Sequence, residues 1–86
     1  METNDEVNRL IAVIAEEVME VKSATTAPHL NPDDEIAGLG LDSVDTLELL
    51  TRLEDRESAT IPEAALSYLR TIADVIDLLR EYRDRS

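Results

Sequence analysis

Apolar residues recur along this chain at intervals of three and four, in separate runs, and no stretch of any length alternates. That period puts them on one stripe of an α-helix, whereas a half-buried strand needs a period of two. In the first run Val7, Leu10, Ile11, Ile14, Val18 and Val21 form the stripe, with Arg9, Glu16, Glu17 and Glu20 largely opposite. Thr3 and Glu6 have capping-box spacing, and Asp5 and Glu6 suit the positive end of a helix dipole. A first helix is predicted from Thr3 to about Val21. A second begins at Asp42 or Ser43 and runs to about Glu57, with Asp42 as N-cap and Asp45 three residues on. Val44, Leu47, Leu50 and Leu53 read as its buried stripe, with Leu49 at the margin. Asp45, Glu48, Glu54 and Asp55 are left for solvent.

Between these helices lies a long connection, Lys22 to Asp42, which holds Pro28, Pro32, both glycines and the turn-prone Asn31-Pro32-Asp33-Asp34. Loops this long are uncommon in compact domains and often functional. Its apolar residues Leu30, Ile36, Leu39 and Leu41 are expected to pack onto the helices. After the second helix, Pro62 suits the first position of a short third helix, where a missing N–H costs nothing. Leu66 and Leu69 face inward from it. A fourth helix starts at Thr71, with Asp74 as its capping partner and Ile72, Val75, Ile76 and Leu79 as its stripe. Arg80, Arg83 and Arg85 fall near its negative pole. The predicted fold is all-α: a four-helix bundle of three longer helices and one short third helix, with a long loop between helices 1 and 2. It occupies one domain, 1–86, with its core over about 4–82.

Composition removes several function classes. With no cysteine there is no disulfide, thiolate metal site or cysteine nucleophile, and the single histidine, His29, cannot form a multi-histidine metal site. The net charge of −12 repels phosphate backbones and anionic membranes, so neither nucleic acid nor membrane is an expected partner. It does steer basic partners to the surface. No apolar run approaches a membrane span, and the acidic N-terminus lacks a signal peptide's basic flank, so a cytoplasmic protein is expected; a monomer is expected as well. The acidic turn Asn31–Glu35 does not make an EF-hand: counted from Asn31, the sixth and twelfth positions hold Ile36 and Asp42 where Gly and Glu are needed. His29 reads as a loop residue. With no Gly-x-Ser-x-Gly elbow, serine hydrolase chemistry has no support.

The segment Leu39-Gly40-Leu41-Asp42-Ser43-Val44-Asp45 carries the chemistry. It puts a serine hydroxyl at the start of a helix, directly after a glycine-bearing loop, where solvent and another enzyme can reach it. The serine has no evident base and is a poor nucleophile by itself. A phosphate on it would meet unpaired backbone N–H groups and the positive end of the dipole, typically worth about 0.3–1 kcal/mol. Asp42 and Asp45 oppose this by like-charge repulsion.

Gly40-Leu41-Asp42-Ser43-Val44 resembles the phosphopantetheine attachment motif of acyl carrier proteins. Asp42 to Leu49 is similar to the start of the second helix in bacterial fatty-acid carriers. Leu53-Glu54-Asp55, Ile61-Pro62-Glu63 and Leu69 to Val75 resemble the family's later segments without a gap, and Ile36 stands where the family has an apolar residue. The resemblance spans about Val7 to Tyr82.

It implies that the chain is a non-catalytic carrier. Ser43 would hold a covalent 4′-phosphopantetheine arm donated by coenzyme A through a phosphopantetheinyl transferase, flanked by Asp42 and Val44. Acyl intermediates would ride on the arm's thiol as thioesters between loading, condensing and tailoring enzymes of fatty-acid or polyketide type. Their basic patches would dock on Asp42, Val44, Asp45, Leu47, Glu48, Glu54 and Asp55. Ile36, Leu53, Ile61, Leu66, Leu69, Ile72 and Val75 would line a cargo cavity. No metal is implied. One departure is Glu57, where the family often has an aromatic residue; its polar neighbours suggest a more solvated loop over Glu57–Thr60 and a reshaped cavity. Leu41 departs from the form common in peptidyl carriers, which makes an aminoacyl or peptidyl carrier the second reading. A plain acidic interaction module, with Ser43 as an ordinary capping residue, is the alternative from another class.

Overall fold

The structure, a computed structural model, describes residues 2–83, with side chains described from residue 5. Helix α1 spans Glu2–Val21, α2 spans Ser43–Glu57 and α3 spans Ile72–Glu81. Two short 3₁₀ helices, Ile36–Leu39 and Glu63–Tyr68, lie in the connections. The Thr3 side chain, expected to cap α1, and Arg85 lie outside the described residues.

Both later helices begin as their sequence predicts. Asp42 and Thr71 are N-caps, each in a capping box with the acidic residue three positions on. The short helix after Pro62 is a 3₁₀ helix, and Pro62 is its N-cap, with extended backbone, instead of its first residue. The connection between α1 and α2 also folds a turn of its own, Ile36–Leu39, around the buried Ile36.

Helix α1 packs on α2 and α3, and these two pack on each other. The core is aliphatic: Leu10, Ile14 and Val18 from α1 meet Leu49 and Leu53 from α2 and Ile72, Val75 and Leu79 from α3. Burial of each such side chain is worth about 1.5–3 kcal/mol. The loop from α1 is bound to the start of α3 through its backbone. Ile36 N–H donates to the Arg70 carbonyl at 2.9 Å, and Ile72 and Ala73 donate back to Asp34 and Pro32 at 3.0 and 2.9 Å. This ties the path toward Ser43 to the last helix.

The phase of α2 corrects the stripe expected from sequence. Leu49, Leu50 and Leu53 are buried, while Val44 and Leu47 are 70% and 51% exposed. At 3.6 residues per turn, Val44, Leu47, Glu48, Thr51 and Asp55 form one outward stripe opposite Leu49 and Leu53. Leu47 and Leu49 flank both possible stripes, so periodicity alone does not choose between them; packing against α1 does.

Glu57 falls on the inward stripe, one turn beyond Leu53. The expected solvated loop at Glu57–Thr60 is therefore corrected in part: Ser58 and Thr60 are exposed, but the Glu57 side chain is 8% exposed and Ala59 is buried. Arginines from α1 and from the segment after α3 neutralise it where an apolar side chain would otherwise pack. Glu17, expected on a solvated face, likewise bonds Arg52 and Arg56 of α2.

Candidate functional site at the start of helix α2

Three restraints hold the approach to Ser43. Lys22, just past α1, donates to the Leu39 carbonyl at 2.7 Å. Gly40 then turns the chain in the left-handed region, φ +79°, which glycine adopts without a Cβ penalty. Leu41 buries its side chain and anchors the last loop residue. The chain enters α2 through Asp42, whose Oδ1 accepts the Asp45 N–H at 2.7 Å. The Asp42 carbonyl accepts both the N–H and the hydroxyl of Thr46, at 2.9 and 2.8 Å.

Ser43 is thus the first residue of α2 and is exposed. Among the described residues nothing hydrogen-bonds its hydroxyl. The cap serves Asp45 and Thr46, so the amides of Ser43 and Val44 are first-turn donors left without an acceptor among the described residues. Among the described residues no side chain accepts a hydrogen bond from this hydroxyl, which stands open to solvent.

Beside Ser43 lies a groove of about 540 Å³. Ile36, Leu41, Leu47, Leu50, Leu66 and Leu69 form its apolar surface. Glu35, Asp42, Thr46 and Arg70 are its polar lining. Three of the residues expected around a cargo cavity, Ile36, Leu66 and Leu69, stand here. The other four do not: Leu53, Ile72 and Val75 are fully buried, and Ile61 is 8% exposed, all within the shared core. Sequence reasoning missed Leu41, Leu47 and Leu50 as groove residues, because a groove between a loop and a helix start leaves no periodic signal.

The residues expected to dock partners separate into two groups. Val44, Leu47, Glu48 and Asp55 share the outward stripe of α2, and Asp42 stands exposed at its start. Glu48 is held only by an exposed pair with Arg52, 3.3 Å away. Asp45 is half-buried and belongs to the capping box. Glu54 turns back to accept the Ile61 N–H at 2.6 Å and is therefore a structural carboxylate.

Two carboxylates near the helix ends are perturbed. The Arg9 hydrogen bonds hold Glu57 below the usual glutamate range, against the effect of burial, with the charges of Arg9, Arg83 and Arg56 adding to them. Asp74 is held low by the backbone N–H groups of Thr71 and Arg70. Arg9, Arg52 and Arg56 are correspondingly raised, each chiefly by a hydrogen bond to its glutamate partner. Among the described residues no cluster of histidine and carboxylate side chains is placed to hold a metal ion. No helix among them is long and apolar enough to cross a membrane.

A small helical domain that presents an unbonded serine at a helix start, beside an apolar groove, has known counterparts. The phosphopantetheine attachment site family matches residues 8–79. The polyketide biosynthesis acyl-carrier-protein AcpK of Bacillus subtilis is 30% identical over 71 residues, covering 83% of this chain and 87% of that protein. The meromycolate extension acyl carrier protein of Mycobacterium leprae is 29% identical over 84 residues, covering 98% of this chain and 70% of that protein. The acyl carrier protein of Thermotoga maritima superposes with a TM-score of 0.79 at 27% identity, covering 90% of this chain and 89% of that one. The chain therefore belongs to the phosphopantetheine attachment family of acyl carrier proteins. Members of this family are generally non-catalytic and serve biosynthetic enzymes.

Proposed function

We propose that residues 1–86 form one carrier domain, with its core over about 4–82, and that Ser43 bears a covalent 4′-phosphopantetheine arm. The observation that carries this reading is the position of the Ser43 hydroxyl: exposed, unbonded, and at the mouth of an apolar groove. The residues fit the group. Ser43 offers the attachment oxygen, the first-turn amides of Ser43 and Val44 suit phosphate oxygens, and the aliphatic groove suits an arm with its cargo.

In the transfer, the Ser43 oxygen forms a bond to the pantetheine-bearing phosphorus of coenzyme A. The anhydride bond breaks, adenosine 3′,5′-bisphosphate leaves, and the hydroxyl proton passes to a base of the transferase. The chain's own part is to hold Ser43 outward through the Asp42 cap and the buried Leu41. When bound at Ser43, such an arm would supply the thiol that this cysteine-free chain lacks, on which acyl groups would be carried as thioesters.

Val44, Leu47, Glu48 and Asp55, with Asp42 at the helix start, offer an apolar strip edged with negative charge. Such a surface suits the basic patches of a phosphopantetheinyl transferase and of acyl-loading, condensing and tailoring enzymes. The relatives include carriers of polyketide biosynthesis and of meromycolate extension, which favours a role in fatty-acid or polyketide-type synthesis. The test is reconstitution. With arm transferase and loading enzymes supplied, Ser43→Ala abolishes acyl loading while the far-ultraviolet helix signal stays intact. A Ser43→Ala protein that still supports product formation refutes the reading.

A further inference from the structure

Five of the six arginines described are held closely by carboxylates. Arg9, Arg52, Arg56, Arg80 and Arg83 each have a carboxylate oxygen within 3.4 Å. Arg70 differs: its nearest carboxylate is Glu35 at 4.0 Å, and its side chain is 79% exposed, the most of the six. In a chain of net charge −12, carboxylates are abundant, so a guanidinium without a close one stands out.

Its backbone, by contrast, is fixed. The Arg70 carbonyl accepts the Ile36 N–H at 2.9 Å, and its N–H donates to Asp74 Oδ2 at 2.9 Å. The side chain therefore springs from a rigid point on the groove wall. Among the residues lining the groove beside Ser43, Arg70 is the only cation, and Glu35 and Asp42 are the anions. A purely aliphatic cargo would be satisfied by the leucines and Ile36. An anion entering the groove would be repelled by Glu35 and Asp42, and Arg70 is the one charged side chain of the lining that would attract it. A guanidinium is suited to that task, because its planar fork takes two oxygens of a phosphate or carboxylate at once.

We propose that Arg70 recognises an oxyanion on the group carried at Ser43, either the phosphodiester of the arm or a carboxylate on the cargo. This rests on the Ser43 reading given above. Arg70 moves away from Glu35 and engages the anion; where that anion is a cargo carboxylate, Arg70 is a specificity residue for what the groove shelters.

The experiment uses ¹⁵N-labelled full chain, loaded by a permissive transferase from coenzyme A, octanoyl-coenzyme A or suberyl-coenzyme A. The two acyl groups have equal carbon counts and differ by a terminal carboxylate. Intact mass is read first; a chain that accepts no arm fails the Ser43 reading and is recognised as that failure. On loaded protein the Arg70 side-chain Nε–Hε resonance is followed, with Arg70→Gln for assignment and Arg70→Lys as the conservative variant. A shift in all three loaded forms identifies the phosphodiester as the anion. A shift confined to the suberyl form identifies the cargo carboxylate. In the second case Arg70→Gln also removes the groove shifts at Ile36, Leu66 and Leu69 that distinguish suberyl from octanoyl protein, and Arg70→Lys restores part of them. An Arg70 resonance unmoved in all three forms, on protein of the correct loaded mass, overturns the inference.

Discussion

Arg9 on α1 and Glu57 at the end of α2 meet through two parallel hydrogen bonds, Nη1 to Oε2 at 3.1 Å and Nη2 to Oε1 at 3.0 Å. The pair occupies a position on the buried stripe of α2 where the family often places an aromatic side chain. Arg83 approaches the same carboxylate at 3.7 Å, and its buried Nη2 has no hydrogen-bond partner among the described residues. The end of the bundle is thus held by charge, with α1, α2 and the segment after α3 converging on one glutamate.

Removing that glutamate's charge has a bounded cost. Glu57 is largely buried, but Arg9 is half exposed and regains water when released. The expected loss for Glu57→Gln is about 1–2 kcal/mol, between the values for exposed pairs and for fully buried ones. Urea denaturation of Glu57→Gln, Arg9→Ala and the double variant measures the coupling directly. A double variant whose loss is the plain sum of the two single losses contradicts the pairing.

Acid weakens the same contact in a defined direction. Glu57 and Asp74 have folded pKa values below their ordinary ones. Their contributions are therefore complete at pH 7 and disappear as pH falls from the unfolded values, about 4.3 for Glu and 3.9 for Asp, through the lower folded ones. Protonation also relieves self-repulsion in a chain of charge −12, which acts in the opposite sense. The stability difference between wild type and Glu57→Gln largely cancels that background, and it narrows toward zero from about pH 4.5 downward. A difference that stays constant from pH 7 to pH 3 contradicts the account.

Glu48 and Glu54 lie on one helix and separate docking from architecture. Glu48→Lys slows arm transfer or acyl loading, more strongly at low salt, and leaves the urea midpoint nearly unchanged. Glu54→Gln does the reverse, because it weakens the acceptor for the Ile61 N–H; its expected cost is about 1 kcal/mol. Rates for Glu48→Lys that equal wild type at every salt concentration would make Glu48 an ordinary solvated residue.

Val44 offers a test of the outward stripe. Its side chain is 70% exposed, so Val44→Ser changes stability by no more than about 0.5 kcal/mol. Arm transfer slows all the same, because the apolar contact beside Ser43 is lost. A large loss of stability would show that Val44 packs inward, on the stripe first expected from the sequence.

Much of this was legible in the sequence. Asp42 and Thr71 marked two helix starts because an N-cap is a local device, settled by the residue and its neighbour three positions on. The position of Ser43 at the start of α2 was legible for the same reason. The phase of α2 was not, since Leu47, Leu49 and Leu50 allow two apolar stripes and the choice rests with α1. Glu57 did carry a signal: it continues the Leu50–Leu53 stripe, and a charge on a buried stripe requires a partner. That partner, Arg9, stands 48 positions away, a distance periodicity does not span. The groove was half legible, because Leu66 and Leu69 line it while Leu53, Ile72 and Val75 belong to the core.

The most direct test of the account is intact mass after incubation with coenzyme A and a broad-specificity phosphopantetheinyl transferase, with Ser43→Ala in parallel. The account predicts a gain of one phosphopantetheinyl group by the wild-type chain and none by the variant. A wild-type chain that is helical yet gains nothing from several transferases, or a Ser43→Ala chain that gains the same group, would contradict it.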